Sequence, residues 1–428
     1  MKKCLFIMAA LSSAFFGIQG PALAESAVSS AEYLELVARG NPGLAASAAR
    51  VEALFRLVDV AVGATRPQLG LEAASGRVIR EGAGESTLSL SLAKRVDLWG
   101  REGLSVRRAE LAARIQEARL GELSAGVLRQ AETAYWNAAA AKDTVALYES
   151  LLAQREEDLR VSRVRYEQGT AARLDVFRAE VQVEKTRAAK TEAEAALRDA
   201  LSLMARLAGG QALEPSEKPA PDGLDLHGGM EEALKSRPEA RRAALEKEAA
   251  AVETRLAGLG MHPVVDASLS STLLSDSDTV IPPESDILFS VSVQVPLYDG
   301  GQTRAETASK RVLQRASELD EESLRTVIAE ELQLAASRLE KARALETSRK
   351  KEASLAAEEL RITRLRYVTG VGSQLELLDA QVREQSARTA YLDALREMAA
   401  ARAQLRYALG LYPPPKTGEW KNFQERMN

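Results

Sequence analysis

The sequence lacks the residues from which most metal centres and disulfide frameworks are built. Its 428 residues include one cysteine, Cys4, and two histidines, His227 and His262, which lie far apart in the chain. Zinc sites and disulfide frameworks need several such residues at short spacing. Motifs of nucleophilic catalysis and glycine-rich phosphate loops are also missing. We therefore expect no cofactor, no metal and no enzymatic activity.

Long apolar runs and excess positive charge are scarce as well. Residues 1–24 contain Lys2 and Lys3, an apolar run and an Ala-Leu-Ala sequence before Glu25, which is typical of a secretory signal. The apolar run is too short to cross a bilayer. Without the two lysines of this signal, 55 basic and 61 acidic residues give a net charge of −6. That charge argues against a nucleic-acid partner.

Aromatic residues make up only 4% of the chain, whereas Ala, Leu, Glu and Arg are abundant. This composition is typical of long helices and coiled coils. Residues 101–167 contain no proline, and their apolar residues recur at helical spacing, which predicts one helix of about 100 Å. A helix of that length does not fit a compact domain and indicates a coiled-coil rod.

The chain repeats itself after 201 residues. Residues 160–180, RVSRVRYEQGTAARLDVFRAE, return at 361–381 as RITRLRYVTGVGSQLELLDAQ, with Gly169 aligned with Gly370. In both copies an amphipathic helix ends at glycine, which accepts the left-handed conformation that commonly follows a helix. Because the offset is constant, we interpret the chain as a tandem duplication.

Each repeat is predicted to contain a helix, a β-hairpin, a long helix and a further helix. The first repeat, residues 25–210, has its elements at 31–65 (interrupted at Asn41-Pro42-Gly43), 67–95, 101–167 and 173–207. The second repeat, residues 229–410, has them at 229–261 (interrupted at Pro238), 263–297, 301–368 and 373–409. Residues 211–228 are predicted to be a linker, and residues 411–428 a polar tail. Two short helices stacked end to end match one long helix in length.

The predicted hairpins alternate apolar and polar residues, as in Leu88, Leu90 and Leu92 against Ser89 and Ser91. Four strands in one sheet leave two unpaired edges. Inside a membrane, the backbone N–H and C=O groups of these edges must find hydrogen-bond partners within the protein. We therefore expect several copies to form one closed barrel. The low aromatic content is unusual for such a barrel.

An alternative is a soluble periplasmic coiled-coil scaffold whose alternating segments only cap the bundle. A strand that faces lipid should be apolar along its whole crossing. Residues 287–297 fit this pattern, and residues 264–273 fit it less well because Ser271 stands where an outward apolar residue is expected.

Several weak motifs in one order make the mature chain similar to the TolC family of outer-membrane efflux proteins. They are Asn41-Pro42, Asp97-Leu98-Trp99-Gly100-Arg101, Leu297-Tyr298-Asp299-Gly300-Gly301, the two Tyr-x-x-Gly turns and Leu377-Leu378-Asp379-Ala380. The resemblance implies a mainly α homotrimer with a small β part: a twelve-stranded barrel in the outer membrane and an α-barrel of long antiparallel coiled-coil helices across the periplasm. It implies the exit duct of a tripartite efflux pump or type I secretion system, with a periplasmic adaptor and an inner-membrane transporter as partners.

The resemblance also implies roles for the two helical turns. Gly169 and Thr170 in the first turn and Gly370, Val371 and Gly372 in the second match positions that meet the adaptor. An alternative is that these glycines serve only the turn. The family has an arginine where this chain has Gly372, so the closed state is expected to be held differently or weakly here.

Three further residues match the family's periplasmic gate, the closed entrance at these turns, and a fourth is assigned to the gate with them. Glu376 and Asp379 are three residues apart and share one helix face, so a threefold axis would bring six carboxylates around a narrow entrance. Such a ring attracts cations. The alternative for both acids is a solvated first helical turn, where the helix dipole favours them. Tyr367 matches a tyrosine that helps to lock the family's closed turns, and Asp175 of the first repeat is a candidate partner across the two turns.

Two aromatic residues occupy the bends between hairpin and long helix. Trp99 and Tyr298 are expected either to lie in the interfacial belt of a membrane, where amphipathic rings meet the headgroups, or to pack against the bend.

Overall fold

The computed structural model describes residues 26–77, 84–218, 229–277 and 287–413. The predicted signal, His227 and most of the predicted tail lie outside these ranges. The described chain is mainly helical with a small β part. Its elements in order are β1 (Ser26–Val28), α1 (Ser30–Gly40), α2 (Pro42–Ala64), β2 (Gln68–Arg77), β3 (Gly84–Val96), α3 (Arg101–Glu167), α4 (Arg173–Leu207), β4 (Leu213–Pro215), α5 (Met230–Ser236), α6 (Pro238–Gly258), β5 (Val264–Ser277), β6 (Ile287–Gln294), α7 (Gln302–Val368) and α8 (Gln374–Ala408).

The first helix of each repeat is two helices. In the first repeat the break lies at Asn41, whose Oδ1 accepts hydrogen bonds from the N–H groups of Gly43 and Leu44 and so caps α2. The Nδ2 of Asn41 donates to the carbonyl of Leu207 at the end of α4, at 3.0 Å. The break therefore joins α2 to α4 end to end at mid-height of the rod. Pro238 begins α6 in the corresponding place.

The predicted linker contains a strand that the sequence did not indicate. Residues 213–215 (β4) pair in parallel with residues 26–28 (β1). Beneath this pair lies a buried cluster around Tyr33, Tyr135 and Met204. The hydroxyl of Tyr33 donates to the carbonyl of Met204, and that of Tyr135 donates to the carbonyl of Val28. These contacts fix the start and end of the first repeat against α3.

The helices form a wall with a fixed order. Helix α3 packs against α2 and α4 on one side and against α6 and α8 on the other, and α7 packs against α6 and α8. The order across the wall is therefore α2 with α4, then α3, then α6 with α8, then α7. Buried Glu132 of α3 ties the two repeats together, because it accepts hydrogen bonds from Arg406 of α8 and from Tyr412.

The hairpins form one antiparallel sheet in the order β2-β3-β5-β6. The register places Leu69 and Leu71 of β2 opposite Leu92 and Leu90 of β3. On β5 and β6, Leu269 lies opposite Phe289. One face of the sheet is therefore largely apolar, and the other carries serine, threonine and charged residues. The apolar side chains Leu69, Leu71, Ile287, Phe289, Val291 and Val293 are exposed in the single chain.

Within the described ranges, no helix combines the length and the apolar character that a membrane crossing requires. The same residues contain no group of three or more His, Cys, Asp or Glu side chains arranged to hold a metal ion.

Gly209 lies where the end of α4 comes close to the end of α1, and a substitution there tests this contact. Its φ is +76°, and a Cβ built there would lie 2.4 Å from the carbonyl oxygen of Gly40. Replacing Gly209 by Ala should lower the free energy of unfolding by about 2–4 kcal/mol, because the new methyl group forces α1 and α4 apart. Thermal unfolding followed by circular dichroism measures the change.

The neighbouring Gly210 provides the control. Its φ is also positive, +94°, but a Cβ there meets no atom within 4 Å. Gly210→Ala should therefore cost only the backbone term of about 1–2 kcal/mol. If both variants lose the same amount of unfolding free energy, the proposed clash between residue 209 and Gly40 is wrong.

Candidate functional site

The first turn joins α3 to α4 and is closed by its own backbone. After α3 ends at Glu167, Gly169 adopts φ +71°, and the N–H and Oγ1 of Thr170 both donate to the carbonyl of Arg165. A glycine is favoured there because its φ lies in the left-handed region. The carboxylate of Asp175 accepts from the N–H of Ala172, which caps α4. We call residues 168–172 tip 1.

The second turn joins α7 to α8 with the same geometry. Gly370 adopts φ +78°, and the N–H groups of Val371 and Gly372 both donate to the carbonyl of Arg366, each at 2.9 Å. The hydroxyl of Ser373 accepts from the N–H of Glu376 and caps α8. We call residues 369–373 tip 2. Both tips leave their central glycines open, since a Cβ at Gly169 or Gly370 meets no atom within 4 Å.

Gly372 has a local packing reason of its own. A Cβ there would lie 3.2 Å from the Cβ of Arg366 and from the backbone nitrogen of Tyr367. A long side chain at position 372 would therefore press on the last turn of α7. On that last turn of α7, the guanidinium of Arg366 lies 3.6 Å from the carboxylate of Glu376.

The helix ends beside the two tips contact each other within one chain. The guanidinium of Arg165 lies 4.4 Å above the ring centre of Tyr367, a cation–π contact between the ends of α3 and α7. The Nε2 of Gln374 donates to the backbone carbonyl of Asp175 at 3.1 Å. Below them, the Nε2 of Gln381 donates to the carboxylate of Asp158 at 2.6 Å. The α3–α4 and α7–α8 hairpins are therefore joined at three levels.

The predicted gate residues are brought to one end of the molecule, with contacts the sequence could not show. Tyr367 meets Arg165, and Asp175 uses its backbone carbonyl, not its carboxylate, to contact the second repeat. Asp379 lies one turn beyond Glu376 on α8 and is exposed. Among the described residues, no ion pair of Asp379 is found. The acid nearer the tip is thus paired, and the next one is free.

At the opposite end of the rod, an aspartate caps the start of each long helix. We call these bends between hairpin and long helix the corners. At the first corner the carboxylate of Asp97 accepts from the N–H groups of Arg101 and Glu102, at 2.8 and 3.0 Å. At the second, Asp299 accepts from those of Gly301 and Thr303, at 2.9 and 2.8 Å. These bonds satisfy N–H groups that have no partner in the helix itself. The corner motifs are therefore helix caps, a role that the sequence analysis missed although Asp is a favoured capping residue.

The two corner aromatics differ in their surroundings. The indole N–H of Trp99 donates to the carbonyl of Pro263, and its ring lies edge-on to His262 with centres 5.0 Å apart. Trp99 therefore packs against the connection between α6 and β5 of the second repeat, although 47% of it stays exposed. Tyr298 is 86% exposed. Packing at the bend thus accounts for Trp99 and leaves Tyr298 unexplained within the chain.

Comparison with known proteins agrees with this architecture. The sequence matches the outer membrane efflux protein family over residues 34–210 and 229–411. It is 27% identical to protein CyaE of Bordetella pertussis over 378 residues, which is 83% of this chain and 78% of that protein. It is 23% identical to nodulation protein T of Rhizobium leguminosarum bv. viciae over 342 residues, 77% and 70% of the two chains.

Solved structures share the fold. The outer membrane channel MtrE of Neisseria gonorrhoeae, solved in its open state, superposes with a TM-score of 0.79 at 22% identity and covers 89% of this chain and 88% of that one. The protein VceC of Vibrio cholerae superposes with a TM-score of 0.75 at 17% identity, covering 89% and 96%. Because the family match extends over both repeats, this chain belongs to the outer membrane efflux protein family and is an outer membrane duct for efflux or secretion.

Proposed function

We propose that three copies of this chain form the duct, with a twelve-stranded barrel in the outer membrane and a twelve-helix barrel across the periplasm. The observation that carries the proposal is the pair of free edges. The sheet ends in β2 on one side and β6 on the other, and the helical wall ends in α2 with α4 on one side and α7 on the other. Unlike edges that meet head to tail close a ring.

The free edge at α7 carries an apolar stripe. Six side chains at spacings that keep them on one helix face are 44–70% exposed in the single chain. They are Val312, Leu319, Val327, Leu334, Leu355 and Ile362. The stripe lies roughly opposite the face on which Ile328, Ala335 and Leu339 pack against the chain's own helices. A helix with apolar residues on two opposite faces fits between two neighbours in a closed wall.

The opposite edge offers a matching surface. On α4, Leu174, Phe177 and Val181 are about half exposed at spacings of three and four residues, and on α2 so are Leu57 and Val60. A second copy that lays its α7 against this edge would bury both stripes. The strands of β6 and β2 would then meet at the same junction and complete their backbone hydrogen bonds.

The sheet supports a membrane location for the hairpin end. None of the helices in the described ranges covers its apolar face, and strands of 8–14 residues are long enough for a tilted crossing. With the apolar face toward lipid, the serine-rich face lines the lumen. Trp99 and Tyr298 then lie near the membrane surface, where amphipathic rings are favoured.

The opposite end supports a gated entrance and a docking surface. In the trimer, Glu376 and Asp379 of each copy line the entrance, and Tyr367, held by Arg165, and Asp175, through its carbonyl, keep the two hairpins together. Tips 1 and 2, with the open glycines and the 73% exposed Val371, meet a periplasmic adaptor that couples the duct to an inner-membrane transporter. The duct itself performs passive transport and catalyses no reaction.

Charged residues in the α7 stripe should prevent assembly. Replacing Leu319 and Leu334 together by Glu places six carboxylates per trimer in the buried junctions, where each unpaired charge costs several kcal/mol. We expect the variant to run as a monomer in detergent, as measured by light scattering coupled to size exclusion.

Ala336 supplies the control for the assembly test. It is exposed on the same helix but points about 100° away from Leu319 and about 160° away from Leu334, so Ala336→Glu should stay trimeric. A trimer from the stripe variant would contradict the junction, and a monomer from the control would show that any charge on α7 is harmful.

A further inference from the structure

A buried arginine near the tips lacks hydrogen-bond acceptors. Arg155 of α3 is 3% exposed, and its Nε and Nη1 make no hydrogen bond with the chain. Buried guanidinium donors are normally paired with carboxylates or carbonyls, because leaving a charged donor unsatisfied is among the costliest arrangements in a protein interior. Burial lowers the pKa of Arg155, although Asp158 and Glu384 act in the opposite direction.

The carboxylates near Arg155 are already engaged elsewhere. Asp158 accepts from the Nε2 of Gln381 at 2.6 Å and lies 3.7 Å from the guanidinium of Arg364. Glu384, which is 2% exposed, is paired with Arg388 at 2.6 Å. Each carboxylate thus has an arginine of its own. Arg155 is the cation of this cluster that has no counter-ion among the described residues.

A small cavity adjoins the unpaired donors. It has a volume of about 30 Å³ and is lined by side chains of α3, α4, α7 and α8, among them Arg155, Asp158, Tyr367, Gln374 and Gln381. The Oε1 of Gln374 makes no hydrogen bond with the chain. A water-sized sphere needs about 10–15 Å³ by this measure, so the space suits one small occupant. A halide ion is only slightly larger than a water molecule and fits this space.

We propose that this cavity is a binding site for a monovalent anion of halide size, chloride under physiological conditions. Nε and Nη1 of Arg155 donate to the ion. The ion neutralises the one uncompensated charge of the cluster and joins α3 to the helices that line the cavity. The site lies within one chain and does not depend on the assembly or on the gate acids.

Bromide replaces chloride in the direct test. Crystals of the full chain in detergent are grown with sodium bromide, and the anomalous signal of bromine is recorded at its absorption edge. We expect an anomalous peak within hydrogen-bonding distance of Nε and Nη1 of Arg155. Density without an anomalous signal would identify a water molecule and would overturn the proposal.

A solution measurement with a matched variant supplements the crystal. At constant ionic strength, replacing gluconate in the buffer with chloride should raise the melting temperature of the unmodified protein by a few degrees. A ligand that binds only the folded state stabilises it. Arg155→Met should remove this chloride dependence. Arg160→Met, which changes an exposed arginine on the same helix, should retain it.

Two results would count against the site in solution. A chloride dependence that persists unchanged in Arg155→Met would place the ion elsewhere. A bromide peak without any chloride-dependent stabilisation would mean binding at crystal concentration only, and would also overturn the proposal.

Discussion

Neutralising the two acids of α8, with Glu376→Gln and Asp379→Asn together, should strongly reduce the cation preference of single channels in planar bilayers. In water a unit charge about 4 Å from a passing ion contributes about 1 kcal/mol, which corresponds to a roughly fivefold change in relative occupancy. Six such charges are removed from each trimer. The potassium-to-chloride permeability ratio, obtained from the reversal potential in a salt gradient, should therefore fall at least about fivefold.

The ion pair at the tip makes the single variants unequal. Because Arg366 lies 3.6 Å from Glu376, that carboxylate is already partly neutralised. Asp379→Asn should therefore reduce the permeability ratio more than Glu376→Gln, and Arg366→Gln should increase it.

A distant acid pair controls for net charge. Asp393 and Glu397 lie on the same helix but well away from the tip, and both are exposed. Their double neutralisation should leave selectivity unchanged. If the tip variant also leaves the ratio unchanged, Glu376 and Asp379 do not line the conducting path.

Replacing Gly169 and Gly370 together by Trp should abolish export while the amount of trimer in the outer membrane stays the same. The added side chains meet no atom of their own chain within 4 Å at Cβ, so they project from the tips into the space where the adaptor would dock. Loss of a docking surface, not loss of folding, is the expected cause. Export by the intact pump is the readout.

The strain of a side chain at positive φ needs its own control. Asn tolerates the left-handed conformation better than other residues, so the Gly169→Asn and Gly370→Asn double variant should export normally. Direct contact can be followed with Val371→Cys. The only other cysteine, Cys4, lies in the predicted signal, so a thiol cross-linker should join this position to the adaptor. Full export by the Trp variant would argue against the tip contact.

Local sequence signals account for much of the fold. The bounds of α3 and α4 follow from the proline-free run after Arg101, the glycine of tip 1 and the double glycine after α4. The repeat then transfers the same elements to the second half. The β1–β4 pair escaped detection because it consists of two three-residue strands that are distant in sequence, and such pairs carry no periodic signal.

The contacts of the candidate site could not be predicted from local sequence patterns, because they form between residues that are far apart in the chain. Arg155, Arg165 and Arg366 resemble the many exposed arginines of these helices in sequence, yet one is buried, one covers Tyr367 and one pairs with Glu376. Their roles follow from how the α3–α4 hairpin is placed against the α7–α8 hairpin. The capping role of Asp97 and Asp299, by contrast, was available from the sequence, because Asp before a helix is a familiar N-terminal signal.

The most direct test of the proposed duct is the cellular location and assembly mass of the unmodified protein. Membranes of the expressing cells are separated into inner and outer fractions, and the protein extracted from the outer membrane is weighed in detergent by light scattering. We expect it in the outer membrane with the mass of three chains. A soluble periplasmic species, or a monomer in detergent, would contradict the closure of the free edges and would favour a coiled-coil scaffold.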